Sequence, residues 1–223
     1  MADGQHVTYG PHTTPLPSEA SVACDAWVVD GFAPLPGDAI SLPGGDRGIV
    51  ETVYLCAEPS GDAITRWTWI ALADGRLLEV APRGCALYAE PRVLQRGTGR
   101  FLELTAQDGA LVRFEERVRA GTWEDQPVRL TLGRRRWRLT STGTVAAQRL
   151  GPVPASAWGQ LGARPPTDDS DVYFTFVSLT DPEALGLGLW AVDVILAFGR
   201  RLGASPRAAG LAIAGDAAPP AVS

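Results

Sequence analysis

Residues able to do chemistry are few in this chain, and their spacing argues against most catalytic sites. Its 223 residues include two histidines, His6 and His12, and three cysteines, Cys24, Cys56 and Cys85. Both histidines lie in a Pro/Thr/Ser-rich start, so a Ser-His-Asp or Cys-His arrangement would need that arm to fold back over the rest. An odd cysteine count with no Cys-x-x-Cys pair argues against a disulfide framework or a ribbon-type zinc site. Cys56 ends an apolar run and Cys85 follows a turn, which reads as buried free thiols in a reducing compartment. Asp168-Asp169-Ser170-Asp171 is the most metal-like cluster, but it lacks the glycine and distal glutamate of a calcium loop. Glu115-Glu116 and Glu124-Asp125 are adjacent pairs, whose side chains diverge on a strand and suit solvation better than paired acid–base work. The stretches Gly31 to Gly37 and Gly44 to Gly48 lie between strand-like runs, not ahead of a helix, so neither reads as a phosphate loop. No catalytic residue, metal or cofactor is assigned.

Charge and aromatics say more. All 20 basic residues are arginine. Residues 1–96 carry a net charge of −6, residues 97–150 of +4 and residues 151–223 of −3. The basic peak is Arg134-Arg135-Arg136-Trp137-Arg138, an arginine-rich hairpin with an aromatic inside it, a pattern used on nucleic acids and acidic partners. A pI near 5.1 and the lack of lysine weigh against nucleic acid, and docking on the acidic first part of the chain competes with it. In the run from Arg66 to Leu72, Trp67, Trp69 and Ala71 share one face, with Thr68, Ile70 and Leu72 on the other. Both faces are largely apolar, so the strand is either buried on both sides or shows two tryptophans outside. Trp67, Trp69 and the arginine-rich hairpin are the candidate binding residues.

The elements that must position them are mostly strands. Asp38 to Leu42, a glycine turn, Ile49 to Leu55, Arg66 to Leu72, the Asp74-Gly75 turn and Arg76 to Val80 form one series of hairpins. Arg100 to Leu104, the turn at Asp108-Gly109, Ala110 to Val118, and Val128 to Leu132 turning at Gly133 into Arg135 to Leu139 repeat that order. The pattern predicts a flexible arm over 1–22, a first small barrel over 23–96, a second over 97–150 and a linker over 151–170. A strand and an apolar helix follow over 171–203, with Asp181 as N-cap, then a disordered Ala/Pro tail over 204–223. That helix, from Pro182 to Leu202, is apolar nearly all round and must be covered. Leu185, Leu189, Trp190, Val192, Leu196 and Phe198 are its candidate self-association residues, and buried Asp193 would need a partner such as an arginine.

The motif series Leu35-Pro36-Gly37-Asp38-x-Ile40, Gly48-x-Val50, a tryptophan-bearing strand and Asp74-Gly75-Arg76 resembles an SH3-like small barrel. More narrowly, it is similar to a bacterial tandem-barrel domain family of unknown function. The resemblance implies two SH3-like barrels in a mainly β chain and a link to membrane-stress systems; it carries over no catalytic residue. The expected function is a non-enzymatic binding or assembly module in the cytoplasm, with a protein partner or self-association through the C-terminal helix and at most peripheral membrane contact. The alternatives are a hydrolase or metal-dependent enzyme with a site between barrel and C-terminal unit, and a nucleic-acid-binding barrel.

Overall fold

In the computed structural model, residues 28–60, 63–132, 134–161, 171–190 and 193–214 are described. The chain is mainly β, and its strands close a single eight-stranded antiparallel barrel. Two four-stranded meanders build it. The first is β2 (Arg47–Ser60), β3 (Ala63–Leu72), β4 (Leu77–Ala81) and β5 (Gly84–Tyr88). The second is β8 (Arg135–Leu150), β9 (Asp171–Ser178), β10 (Ala184–Trp190) and β11 (Val194–Gly203). β2 pairs with β8 through Val53 to Ala57, and β5 pairs with β11, so the two meanders meet at both seams.

Outside the ring, β1 (Ala39–Ser41) extends the edge of β2, β7 (Arg129–Leu132) pairs with β8, and β6 (Arg92–Leu94) continues β5 along β11. β12 (Ala212–Ile213) pairs with β1. Each meander thus opens with a short strand hairpinned onto the longest strand. The strand order of β1–β5 therefore matches that of β7–β11.

Alternation along each strand sends one set of side chains into the barrel and the other outward. Trp67, Trp69 and Ala71 point inward with Leu77, Tyr88, Leu187, Leu189 and Ile195. Ile70 and Leu72 point outward and are covered by the segment from Val29 to Leu42 and by Ala209 and Leu211. β3 is therefore buried on both faces, which excludes tryptophans on an outer surface.

Two helices seal the other outer wall: α1 (Gly99–Thr105), capped by the Thr98 hydroxyl, and α2 (Ala110–Arg119). They press Phe101, Leu104, Leu111 and Phe114 against Trp137, Leu139, Phe174, Phe176 and Leu196. Burying such a side chain contributes about 1.5–3 kcal/mol relative to leaving it wet, which is why these short helices hold.

Five expectations are corrected. The segment from Pro182 to Leu202 is no helix; it is the hairpin of β10 and β11. Leu185, Leu187 and Leu189 alternate with Gly186 and Gly188, a period of two that suits a strand inside a closed sheet. Across β9, the rings of Phe176 and Phe174 lie over these glycines, where a Cβ would sit 1.8 Å and 2.0 Å from ring atoms.

Residues 99–119, expected as strands of a second barrel, are helical because Phe101, Leu104, Leu111 and Phe114 repeat at helical spacing. The strands expected to close two tandem barrels close one. The expected tail is ordered through Ala214, with β12 on β1. The expected linker over 151–170 packs on the barrel as far as Leu161, held by the fully buried Trp158.

The expected arm over 1–22 and residues 215–223 lie outside the described residues. Among the described residues, no helix is long and apolar enough to cross a membrane.

Candidate functional site

A barrel of eight strands has an interior wide enough to be filled by side chains or to keep a ligand chamber, and this one does both. One end is plugged. The 3-10 turn Ala157–Gln160 inserts Trp158, whose Nε1–H donates to the Gly75 carbonyl at 3.0 Å, while the Tyr54 hydroxyl donates to the Trp158 carbonyl at 2.8 Å. Leu161 packs beside it.

Away from the plug the interior opens into a chamber of about 630 Å³. Its rim is made by Ile64 on β3 and by Pro82 and Arg83 in the β4–β5 turn, all exposed. A second hollow of about 170 Å³, bordered by Tyr88 and Arg201, shares Glu79, Ala81, Arg83 and Thr175 with the first.

The wall of the chamber is aromatic. Trp67 and Trp69 meet edge to face at 5.4 Å, and Tyr173 on β9 lies 5.5 Å and 6.3 Å from their rings. Two of these rings have a polar tip with a defined partner. Trp69 Nε1–H donates to Glu79 Oε2 at 2.8 Å, and the Tyr173 hydroxyl donates to Glu58 Oε2 at 2.7 Å. Gly143 on β8 makes the second pair possible, because a Cβ there would fall 1.7 Å from the Glu58 carboxylate.

A β-bulge between Leu139 and Ser141 brings both Thr140 and Ser141 to Thr175, with hydroxyl–hydroxyl distances of 2.9 Å and 2.5 Å. Bulges of this kind re-aim side chains next to functional sites.

Glu79 dominates the electrostatics. It sits in the middle of β4, half-buried and facing the barrel interior where both hollows reach it. Burial pushes its carboxyl up from the ordinary glutamate value, against the opposing pull of the Trp69 hydrogen bond. Burial is also the main reason that the Tyr88 and Tyr173 phenols are raised, with the negative field of Glu79 adding to both. Cys56 and Cys85 are buried thiols, as expected from the sequence. Burial lifts Cys85 to about 11 and Cys56 well above its usual range, so neither is a thiolate at neutral pH.

Among the described residues that the sequence singled out, the structure brings only Trp67 and Trp69 to this chamber. Arg134, Arg135, Arg136 and Arg138 are exposed on the β7–β8 hairpin outside the barrel, with Arg129 directly across from Arg138. Trp137 is turned away from them into the core, 5.3 Å from Phe176 and 5.1 Å from Phe198.

Leu185 and Leu189 face the barrel interior, while Leu196 and Phe198 lie under the helices with Trp190 beside them, so one chain already covers these side chains. The Val192 position and residues 168–170 of the acidic cluster lie outside the described residues, as does the side chain of Asp171. Asp193 finds its partner in a backbone amide: Arg96 N–H donates to Oδ1 at 2.9 Å.

Sequence reading missed Glu79, Glu58, Tyr173 and Thr175. One signal was present: Glu79 falls in the apolar phase of β4, between Leu77 and Ala81, which marks an inward-facing carboxylate. No protein family, curated protein or solved structure matches the chain.

Proposed function

We propose that the protein binds a small organic molecule inside its barrel and acts as a binding module. The chamber of about 630 Å³ supports this most directly. Small-molecule sites are concave, about 300–1,000 Å³ in volume, and lined by apolar and aromatic groups with a few convergent polar ones. Here the aromatic wall of Trp67, Trp69 and Tyr173 gives contact area, while Glu79 and the Ser141–Thr175 hydroxyls give orientation. A rigid closed sheet holds these groups in place without ligand, which lowers the ordering cost of binding.

Uptake of the uncharged, environment-sensitive dye prodan tests the reading. The full chain is expected to bind it saturably, with energy transfer from Trp67 and Trp69. Ala81 faces the interior where the two hollows meet, so Ala81→Trp is expected to fill the junction and abolish uptake while the chain keeps its fold by circular dichroism. Equal uptake by both proteins would place the dye elsewhere and remove the reading.

A further inference from the structure

Arg66 and Arg83 line the chamber, yet among the described residues no cationic side chain pairs with its inward carboxyl group, Glu79, and this points to the chemistry of its ligand. We propose that the ligand is an organic ammonium ion, bound with its charge against Glu79 and the faces of Trp69 and Tyr173. The assignment rests on reading the chamber as a ligand site.

Glu79 is the first reason. Its alternation partners on β4 are Leu77 and Ala81, so an apolar residue would continue the interior pattern. Instead the position carries a carboxyl group whose one hydrogen-bond donor among the described residues is the neutral Trp69 indole. The ion pairs of Arg76, Arg100 and Arg119 lie elsewhere, and among the described residues none reaches Glu79. Arg66 and Arg83 line the chamber and Arg201 borders the second hollow, but none of the three forms an ion pair with Glu79. A carboxylate enclosed without a counter-charge is costly, and a cationic ligand in the adjoining space offsets that cost.

The rings are the second reason. Tryptophan is the strongest aromatic partner for a cation, followed by tyrosine. Tyr173 donates its hydroxyl proton to Glu58, which enriches its ring in electron density and strengthens its attraction for positive charge. Glu58 also makes a second carboxylate on the same wall. At the aromatic wall an anionic ligand would meet both carboxyl groups, with Arg66 and Arg83 as its cationic partners elsewhere in the lining, and a neutral one would leave Glu79 without a counter-charge. For a protonated amine, Glu79 Oε1 and the Ser141 and Thr175 hydroxyls are acceptors; for a quaternary ammonium, the ring faces suffice.

Calorimetric titration of the full chain distinguishes these cases. The probes are choline, butylammonium, the uncharged choline isostere 3,3-dimethylbutan-1-ol, and butyrate. At least one ammonium ion is expected to bind about tenfold more tightly than the isostere, equivalent to 1.4 kcal/mol. Glu79→Gln is expected to erase that preference while leaving the affinity for the isostere within twofold. The wild-type comparison alone decides the matter should the variant fold poorly. Isostere or butyrate binding as tightly as both ammonium ions would overturn the ammonium assignment and leave the chamber as a ligand site. Failure of all four together with no prodan uptake would overturn both.

Discussion

Trp158→Ala is expected to destabilise the protein by about 3–5 kcal/mol, the range for removing a large buried aromatic. The side chain is fully buried, its indole is anchored to Gly75 at the β3–β4 turn, and its backbone carbonyl receives the Tyr54 hydroxyl. Removing it leaves a void among Tyr54, Leu77 and Leu161 that a closed sheet cannot collapse to fill. Urea unfolding reads this as a lower midpoint with an unchanged slope. Trp123→Ala provides the contrast, because that ring is only half-buried at 6.3 Å from Phe114, and its loss should cost less. A loss below about 1 kcal/mol for Trp158→Ala would mean that the turn at 157–160 merely rests on the barrel.

Glu79→Gln is expected to act in the opposite direction, and only as pH rises. Burial raises the folded-state value of this carboxyl above its ordinary 4.5, so the folded chain holds the proton to higher pH than the unfolded chain does. The stability associated with this group is therefore fully present below 4.5 and is lost as pH climbs through the raised value. Glutamine keeps the Trp69 hydrogen bond and has no charge to desolvate. Wild type and variant should melt together at pH 4, and the variant should melt at least about 3 °C higher at pH 8, given roughly 2–4 °C per kcal/mol at this size. A variant equally destabilised at both pH values would show that the carboxylate is already compensated inside the barrel.

Local features of the fold were legible, and long-range closure was not. The Asp74-Gly75 turn announced the β3–β4 hairpin, with Gly75 at φ 86°. The doubly apolar run from Trp67 to Leu72 left two readings open, and the structure selects the strand buried on both faces. Nothing local, however, says that Val53 pairs with Leu150 or Tyr88 with Gly199, and those seams decide between two barrels and one.

The β10–β11 hairpin was misread because its inner leucines and outer Ala184, Val194 and Leu196 are all covered, which erases the polar phase that separates strand from helix. The alternating Gly186 and Gly188 carried the strand signal. α1 and α2 were misread for the converse reason: the turn at Asp108-Gly109 suits a hairpin as well as a helix pair, and only the spacing of Phe101, Leu104, Leu111 and Phe114 separates the two.

The candidate site was half visible. Trp67 and Trp69 stand out by type, whereas Glu58, Tyr173 and Thr175 meet only once β9 lies inside the closed sheet.

The most direct measurement of where a ligand sits is fluorine NMR of the full chain labelled with 5-fluorotryptophan, its seven signals assigned by single substitutions, during titration with choline or prodan. The Trp67 and Trp69 signals should move together and saturate, while Trp123 and Trp137, on the outer wall under the helices, stay in place. Shifts confined to Trp123 or Trp137, with Trp67 and Trp69 unmoved at saturation, would contradict a ligand chamber inside the barrel.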